Sequence, residues 1–396
     1  MKEIERIQYL EELDRWRDNP DIVKVILGAR RVGKSVIMDQ YVRRMVGAGT
    51  DPKDILFMDF ESSDFDDIAD HVDLNVYISK MIPKDRRTYV FLDEVQRIEG
   101  WERTVNSLMA DYDADVYITG SNAYLLSSEL STYLSGRYVE IKVLPLSFAE
   151  FLEGHPALPD ADRSVRFQQY LRTGGMPLTD PDREDRYNRM ILEGIYNTVL
   201  IKDAATRMGI RDLSGLDRIA RFLMDNSGNI TNVDNIVNVT GLAKKTVVKY
   251  VRSLTEAFLF YRVERYDVVG KKLLNSHEKY YPVDTGMAMA VLDRGISDTS
   301  RPLENIVFLE LMRRGYRVRV GSFRDREVDF TAEKDGKVEY YQVCLTMLND
   351  SIFDREVRSM RAIDDNYPKT VLSLDSVVRD MPDGLIHRNV IEWLLG

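Results

Sequence analysis

Gly28-Ala-Arg-Arg-Val-Gly-Lys-Ser35 follows the apolar run Val23-Lys-Val-Ile-Leu27 and leads into helix-compatible sequence. It matches the phosphate-binding pattern G-x-x-x-x-G-K-[ST] in the strand-to-helix context that the pattern requires. Gly28 and Gly33 let the backbone wrap so that successive N–H groups face phosphate oxygens. Ala29, Arg30, Arg31 and Val32 form the crown of the loop, and Lys34 adds a mobile positive charge at the β and γ positions. Ser35 is the expected Mg²⁺ ligand, with Val36 opening the helix. A nucleoside triphosphate, ATP or GTP, is the implied ligand, and no base-reading motif of the guanine type is evident.

Five β-rich runs flank and follow this loop: Val23–Leu27, 55–58, 89–92, 116–118 and 139–143. Short buried strands alternating with amphipathic stretches imply a parallel sheet covered by helices on both faces. Behind the loop, Val36, Ile37, Tyr41, Met45 and Val46 recur at helical spacing, so a helix presents its positive end to the phosphates.

With 396 residues the chain is long enough for two or three domains, and 44% hydrophobic with 30% charged residues suits a water-soluble fold. A net charge of −10 argues against a protein that coats nucleic acid indiscriminately, so any DNA contact is local. Cys344 is the sole cysteine, which excludes an internal disulfide, and the four histidines (71, 155, 277, 387) have no zinc spacing. The start of the chain lacks a signal-peptide core and no run is long enough for a membrane span, so a cytoplasmic protein without a membrane partner is expected. The strand rhythm stops after Pro145 and short strands return beyond about 265. This gives three expected segments: 1–155, 156–265 and 266–396.

Tyr89-Val-Phe-Leu-Asp-Glu94 is an apolar strand that ends in two acids. Paired with the loop upstream it has the form of a Walker B element. Asp93 is then expected on Mg²⁺ and Glu94 on the attacking water. Val116-Tyr-Ile-Thr-Gly-Ser-Asn122 ends in small polar groups suited to sensing the γ-phosphate, Ser121 and Asn122 ranking above Thr119, although a turn with its own hydrogen bonds has the same spelling. Arg137, before the last strand, is the candidate arginine finger, supplied to a neighbouring subunit of a homo-oligomer; a solvated arginine is the competing reading.

Taken together, residues 28–35, Phe91-Leu-Asp-Glu-Val-Gln96, Thr119-Gly-Ser-Asn122, Ser135-Gly-Arg137 and Leu144-Pro-Leu-Ser-Phe-Ala-Glu-Phe151 resemble the prokaryotic AAA-type, STAND-like P-loop ATPases that carry domain of unknown function 4143. Gly174-Gly-Met-Pro177, Lys202-Asp203, Lys279-Tyr-Tyr-Pro-Val-Asp284 and Glu327-Val-Asp-Phe330 extend the resemblance over nearly the whole chain. It implies ATP hydrolysis in the N-terminal part and a restriction-endonuclease-like fold in the last part. Glu304 and Asp329 stand at the acidic places of such a nuclease, but Gln342 and Cys344 stand where a second acid and a lysine are needed, so the domain is expected to lack cleavage activity.

Residues 213–265 have the order of a winged helix-turn-helix, with Lys244, Lys245, Lys249 and Arg252 on the outer face of the helix 243–258 and Lys271 and Lys272 in the wing. Contact with double-stranded DNA and contact with a protein both fit this face. The chain is thus expected to be a Mg²⁺-dependent ATPase switch or motor. A DNA-binding effector and a nucleotide-holding module with negligible hydrolysis are the alternatives.

Overall fold

The computed structural model describes residues 3–121, 134, 136–156, 162–270, 272–293, 299–323 and 326–396. These form two compact units, residues 3–143 with 256–258, and residues 144–255 with 259–396. The first boundary falls at 143/144, a dozen residues before the 155 expected from composition, and residues 266–396 do not stand apart from the helices before them.

The N-terminal unit runs α1 (Ile7–Trp16), β1 (Val23–Leu27), α2 (Lys34–Gly47), β2 (Ile55–Asp59), α3 (His71–Met81), β3 (Thr88–Asp93), α4 (Trp101–Asp111), β4 (Ala114–Gly120) and β5 (Tyr138–Lys142). All five strands are parallel, in the order β2-β3-β4-β1-β5. β4 therefore lies between the strand that precedes the phosphate loop and the strand that ends in Asp93. β1, β3 and β4 are buried along their whole length, as strands covered on both faces must be. Even Lys24, in the middle of β1, is buried; its ammonium meets the Asp115 carboxylate and donates to Asn19 O at 2.6 Å. Helix α2 is seated by Tyr41, whose ring lies 5.6 Å from that of Tyr117, itself stacked on Phe91 at 4.5 Å. Ile37, Tyr41 and Met45 face the core as expected, but Val36 and Val46 are exposed, and Met38 and Gln40 are buried instead.

The C-terminal unit begins with helices: α5 (Phe148–Gly154), α6 (Arg163–Thr173), α7 (Asp185–Thr198) continuing into a π-helical stretch (Val199–Thr206), α8 (Leu213–Asp225), α9 (Val233–Thr240) and α10 (Lys244–Glu256). Then come β6 (Phe260–Asp267), β7 (Lys272–Pro282), α11 (Thr285–Leu292), α12 (Ser300–Arg313), β8 (Arg317–Phe323), β9 (Arg326–Lys334), β10 (Lys337–Val343), α13 (Asp350–Arg361), β11 (Lys369–Ser373), β12 (Ile386–Asn389) and α14 (Val390–Leu395). Seven strands form one mixed sheet, β12-β11-β10-β9-β8-β6-β7. The expected boundary at 265 lies inside β6, which pairs with β7 on one side and, through Arg265, Tyr266 and Asp267, with β8 on the other. The strands on either side of the turn expected to form the wing, β6 and β7, are thus part of the sheet. Lys271 lies outside the described residues.

The motifs of residues 144–151, 174–177 and 279–284 prove to be one packing unit. Ser147 and Glu150 form a reciprocal capping box at the start of α5. Leu146 N–H donates to Gly175 O at 2.7 Å. The buried Asp284 carboxylate accepts from Gly175 N–H at 2.7 Å and Met287 N–H at 2.8 Å. A Cβ on Gly174 would stand 2.1 Å from Asp284 Oδ1, so this close approach requires glycine.

Candidate active site

The phosphate loop closes on itself around Lys34. Its ammonium is buried and donates to Gly28 O and Ala29 O, both at 3.2 Å, and lies 3.6 Å from Glu94 Oε1. Gly28 needs its missing side chain, because a Cβ there would be 2.3 Å from Val143 O, the residue whose N–H holds Leu27 O at 2.6 Å. Gly33 (φ 97°) and Arg31 (φ 70°) both take left-handed backbone, which turns the chain into α2. Val32 is buried and its carbonyl accepts from Arg6 at 3.2 Å. Arg30 pairs with Glu61 at 3.3 Å, while Ser35 and Val36 are exposed at the first turn of α2.

β3 delivers the acids. Asp93, the last residue of the strand, is 1% exposed and bonds the Ser35 hydroxyl and that of Thr119. Burial pushes its pKa above the usual carboxylate value, with Glu94 and Asp59 adding to the rise. Asp59 stands directly opposite at the end of β2 and was not singled out in the sequence, although Phe57-Met58-Asp59 ends a strand just as Leu92-Asp93 does. Glu94 adopts φ 52°, ψ 45°, a left-handed conformation that costs a non-glycine residue of order 1–3 kcal/mol. Its N–H is held by Thr119 Oγ1 at 2.8 Å.

The tip of β4 therefore serves the acids, and the residue doing most is Thr119, ranked last from sequence. Ser121 is buried and lies 3.4 Å from Gln96 Nε2, which also bonds Glu94 Oε2. Asn122, ranked with Ser121, lies outside the described residues. Arg137 is exposed at the start of β5, its carbonyl accepting from Val23 N–H at 3.0 Å. That is the other end of β1 from the loop, roughly 16 Å away at ~3.3 Å per strand residue. It is not brought to the phosphate site of its own chain.

Mg²⁺ needs hard oxygen ligands and keeps phosphate and water oxygens as the remainder. Ser35 and Asp93 supply such a pair, already in contact, and Asp93 is a buried acid that an added cation would relieve of its desolvation. The residues fit the ion.

A second charged cluster lies in the C-terminal unit. Lys279 Nζ is 2.6 Å from Glu327, 2.9 Å from Glu304 and 3.7 Å from Asp329. Burial opposes the ammonium, but the carboxylates of Glu304, Asp329 and Glu327 outweigh it and hold its pKa above the ordinary lysine value. Burial and Glu304 push the Asp329 carboxyl well up. Gln342 Oε1 accepts from Asp329 N–H at 3.2 Å, and burial drives the Cys344 thiol up to about 12, leaving it inert as a nucleophile. Among the described residues no three His, Cys, Asp or Glu side chains are arranged to hold a metal ion. Lys244 pairs with Asp234 at 2.7 Å, while Lys245, Lys249 and Arg252 are exposed on α10.

Residues 21–152 match the model of a family described as an AAA domain, and residues 164–298 match that of a domain of unknown function, DUF8612. The latter replaces domain of unknown function 4143, to which the motifs had pointed. An uncharacterized protein of Haemophilus influenzae is 36% identical over 401 residues, covering 99% of this chain and 98% of the relative. An uncharacterized protein of Methanocaldococcus jannaschii is 27% identical over 376 residues, covering 90% and 81%. Among solved structures, the Aeropyrum pernix ORC1 protein in complex with DNA aligns over 74% of this chain and 93% of its own at 11% identity. Its TM-score of 0.35 is too low to bear on function.

Proposed function

Because the chain belongs to the same family as that Haemophilus influenzae protein and carries an AAA-type P-loop domain, we propose that it is a Mg²⁺-dependent ATPase acting as a switch. The supporting observation is the convergence, at one end of one sheet, of Lys34 and Ser35 at the start of α2 with Asp93 and Glu94 at the end of β3, the Thr119 hydroxyl holding Asp93 and the Glu94 backbone.

In this reading the loop N–H groups and Lys34 hold the β- and γ-phosphates, and Lys34 leaves its present carbonyl partners to do so. Ser35 and Asp93 would hold Mg²⁺, which when bound neutralises charge on the phosphate oxygens. The Glu94 carboxylate accepts the proton of a water whose oxygen attacks the γ-phosphorus, while the bond from phosphorus to the bridging oxygen breaks and that oxygen departs with ADP. Arg137 is available only to a second copy, so a finger role goes with a homo-oligomer.

The C-terminal unit is read as the part the switch controls. Its run of helix α12, antiparallel β8, β9 and β10, helix α13 and parallel β11 resembles a restriction-endonuclease-like core. An ammonium among its acids argues against cleavage, because Lys279 takes the central place that a divalent ion needs. Lys245, Lys249 and Arg252, exposed on α10, favour DNA contact as the second reading. No described helix is long and apolar enough to cross a membrane. Phosphate release from ATP by the purified protein tests the main reading. Release at the wild-type level by the Lys34→Ala and Glu94→Gln variants overturns it, and ATP retained without turnover supports a nucleotide-holding module.

A further inference from the structure

Glu94 has two side-chain partners, and they do not have the same future once nucleotide binds. Lys34, 3.6 Å from Oε1, is the loop lysine and is drawn to the phosphates. Gln96 Nε2, on Oε2, is two residues further along the same turn and has no phosphate role. The amide orientation is dictated by chemistry: turned over, its oxygen would face the carboxylate, two acceptors in contact. With nitrogen toward Glu94, the same amide reaches Ser121 Oγ at 3.4 Å at the tip of β4. Gln96 Oε1 is buried and has no hydrogen-bond partner among the described residues. A buried amide oxygen without a donor is costly, by about 1–3 kcal/mol, and calls for a donor in the working state.

We propose that Gln96 is a positioning residue for hydrolysis: its amide N–H fixes the Glu94 carboxylate in the loaded state, and its Oε1 accepts a hydrogen of the attacking water. The water then meets two acceptors, one charged to take its proton and one neutral to set its orientation. Glu94 stands on strained left-handed backbone, and of its two side-chain partners the Gln96 amide is the one that persists when Lys34 departs. Ser121 makes this restraint continuous with β4, as Thr119 does for the Glu94 N–H.

The inference rests on the ATPase reading, and the experiment separates the two. Wild type, Gln96→Ala and Gln96→Glu are compared in the full chain for kcat, for the Kd of ATP with Mg²⁺, and for the ratio of ATP to ADP retained on rapid gel filtration. Expected is a loss in kcat of about 10–100-fold in both variants, up to the cost of a small misplacement of a catalytic group and less than the loss of the general base itself, with Kd changed less than about threefold and bound nucleotide recovered mainly as ATP. Gln96→Glu keeps the shape but not the donor, so its activity near wild type overturns the proposal. So does a Kd that weakens in step with kcat, which marks a structural defect of the site. Melting temperatures of the variants identify misfolding, and Gln96→Asn, which keeps the amide, then serves as the folded comparison: turnover at the level of Gln96→Ala supports a distance-dependent restraint, and full turnover overturns it. If wild type itself shows no turnover, the ATPase reading fails and the role of Gln96 with it.

Discussion

Thr119 Oγ1 accepts the Glu94 N–H at 2.8 Å and donates its own proton to Asp93, so a single hydroxyl on β4 holds both acids that close β3. The left-handed turn at Glu94 depends on that bond. Thr119→Val keeps the shape and removes the oxygen, leaving the N–H unpaired in a buried place, with an expected stability loss of about 1–3 kcal/mol. Turnover should fall more than the thermal midpoint alone predicts. Chemical denaturation beside phosphate release checks both, and full turnover in a destabilised variant would separate the turn from the chemistry.

Glu94→Gln should retain ATP and Mg²⁺ while losing turnover by at least about 100-fold, because the amide cannot accept the proton of the water. Lys34→Ala should lose both. Equilibrium binding of a fluorescent ATP analogue distinguishes these two phenotypes.

Gly28→Ala places a methyl group 2.3 Å from Val143 O, a backbone atom that no rotamer change can move. Displacing β5 from β1 is the only relief, at an expected cost of at least about 1–3 kcal/mol. Denaturation midpoints and soluble yield report it; an unchanged midpoint would show that the loop lies further from Val143.

In the C-terminal unit, Lys279→Met leaves Glu304, Glu327 and Asp329 facing one another without their ammonium. Removing one partner of a buried ion cluster costs about 3–5 kcal/mol. Urea denaturation followed by tryptophan fluorescence reads the loss, which should be smaller at low pH where the acids are protonated.

Asp284 gives a pH signature of unusual sign. Burial raises its pKa from 3.8 to about 6, against the backbone N–H groups of Met287, Gly175, Gly286 and Met176 that pull it down. A folded-state pKa above the unfolded one means the folded chain binds the proton more tightly, so this contribution is fully present below about pH 4 and lost as pH rises through about 6. The two-unit rise is worth about 3 kcal/mol. Unfolding free energy should therefore climb more steeply between pH 4 and 6 in Asp284→Asn than in wild type, as measured by urea titration across that range.

The parts legible in the sequence are those built from neighbours along the chain. The loop 28–35, the five strand runs and the acids at 93 and 94 each follow from local spacing, because a buried strand and its tip are contiguous. Thr119 ranks low from sequence because its value comes from β4 lying between β1 and β3, an order that no local pattern states. The role of Gln96 does not show in its motif, because Ser121, which ties its amide to the tip of β4, is 25 residues away. Arg6, bonded to Val32 O, had no signal beyond a charge near the start of the chain.

The C-terminal half shows the same division more sharply. Its motifs at 144–151, 174–177 and 279–284 were visible as words, but only the fold shows that Asp284 and Leu146 clasp the glycine turn between them. Lys279 was one letter of a motif until β7, α12 and β9 placed three acids around it. Sequence alone determined that this protein carries a phosphate loop and paired acids, because those features require adjacency. The tertiary structure decided which side chains hold the acids in place and which cation the second cluster keeps, because hydrogen bonds and charge pairs depend on distances set by strand order.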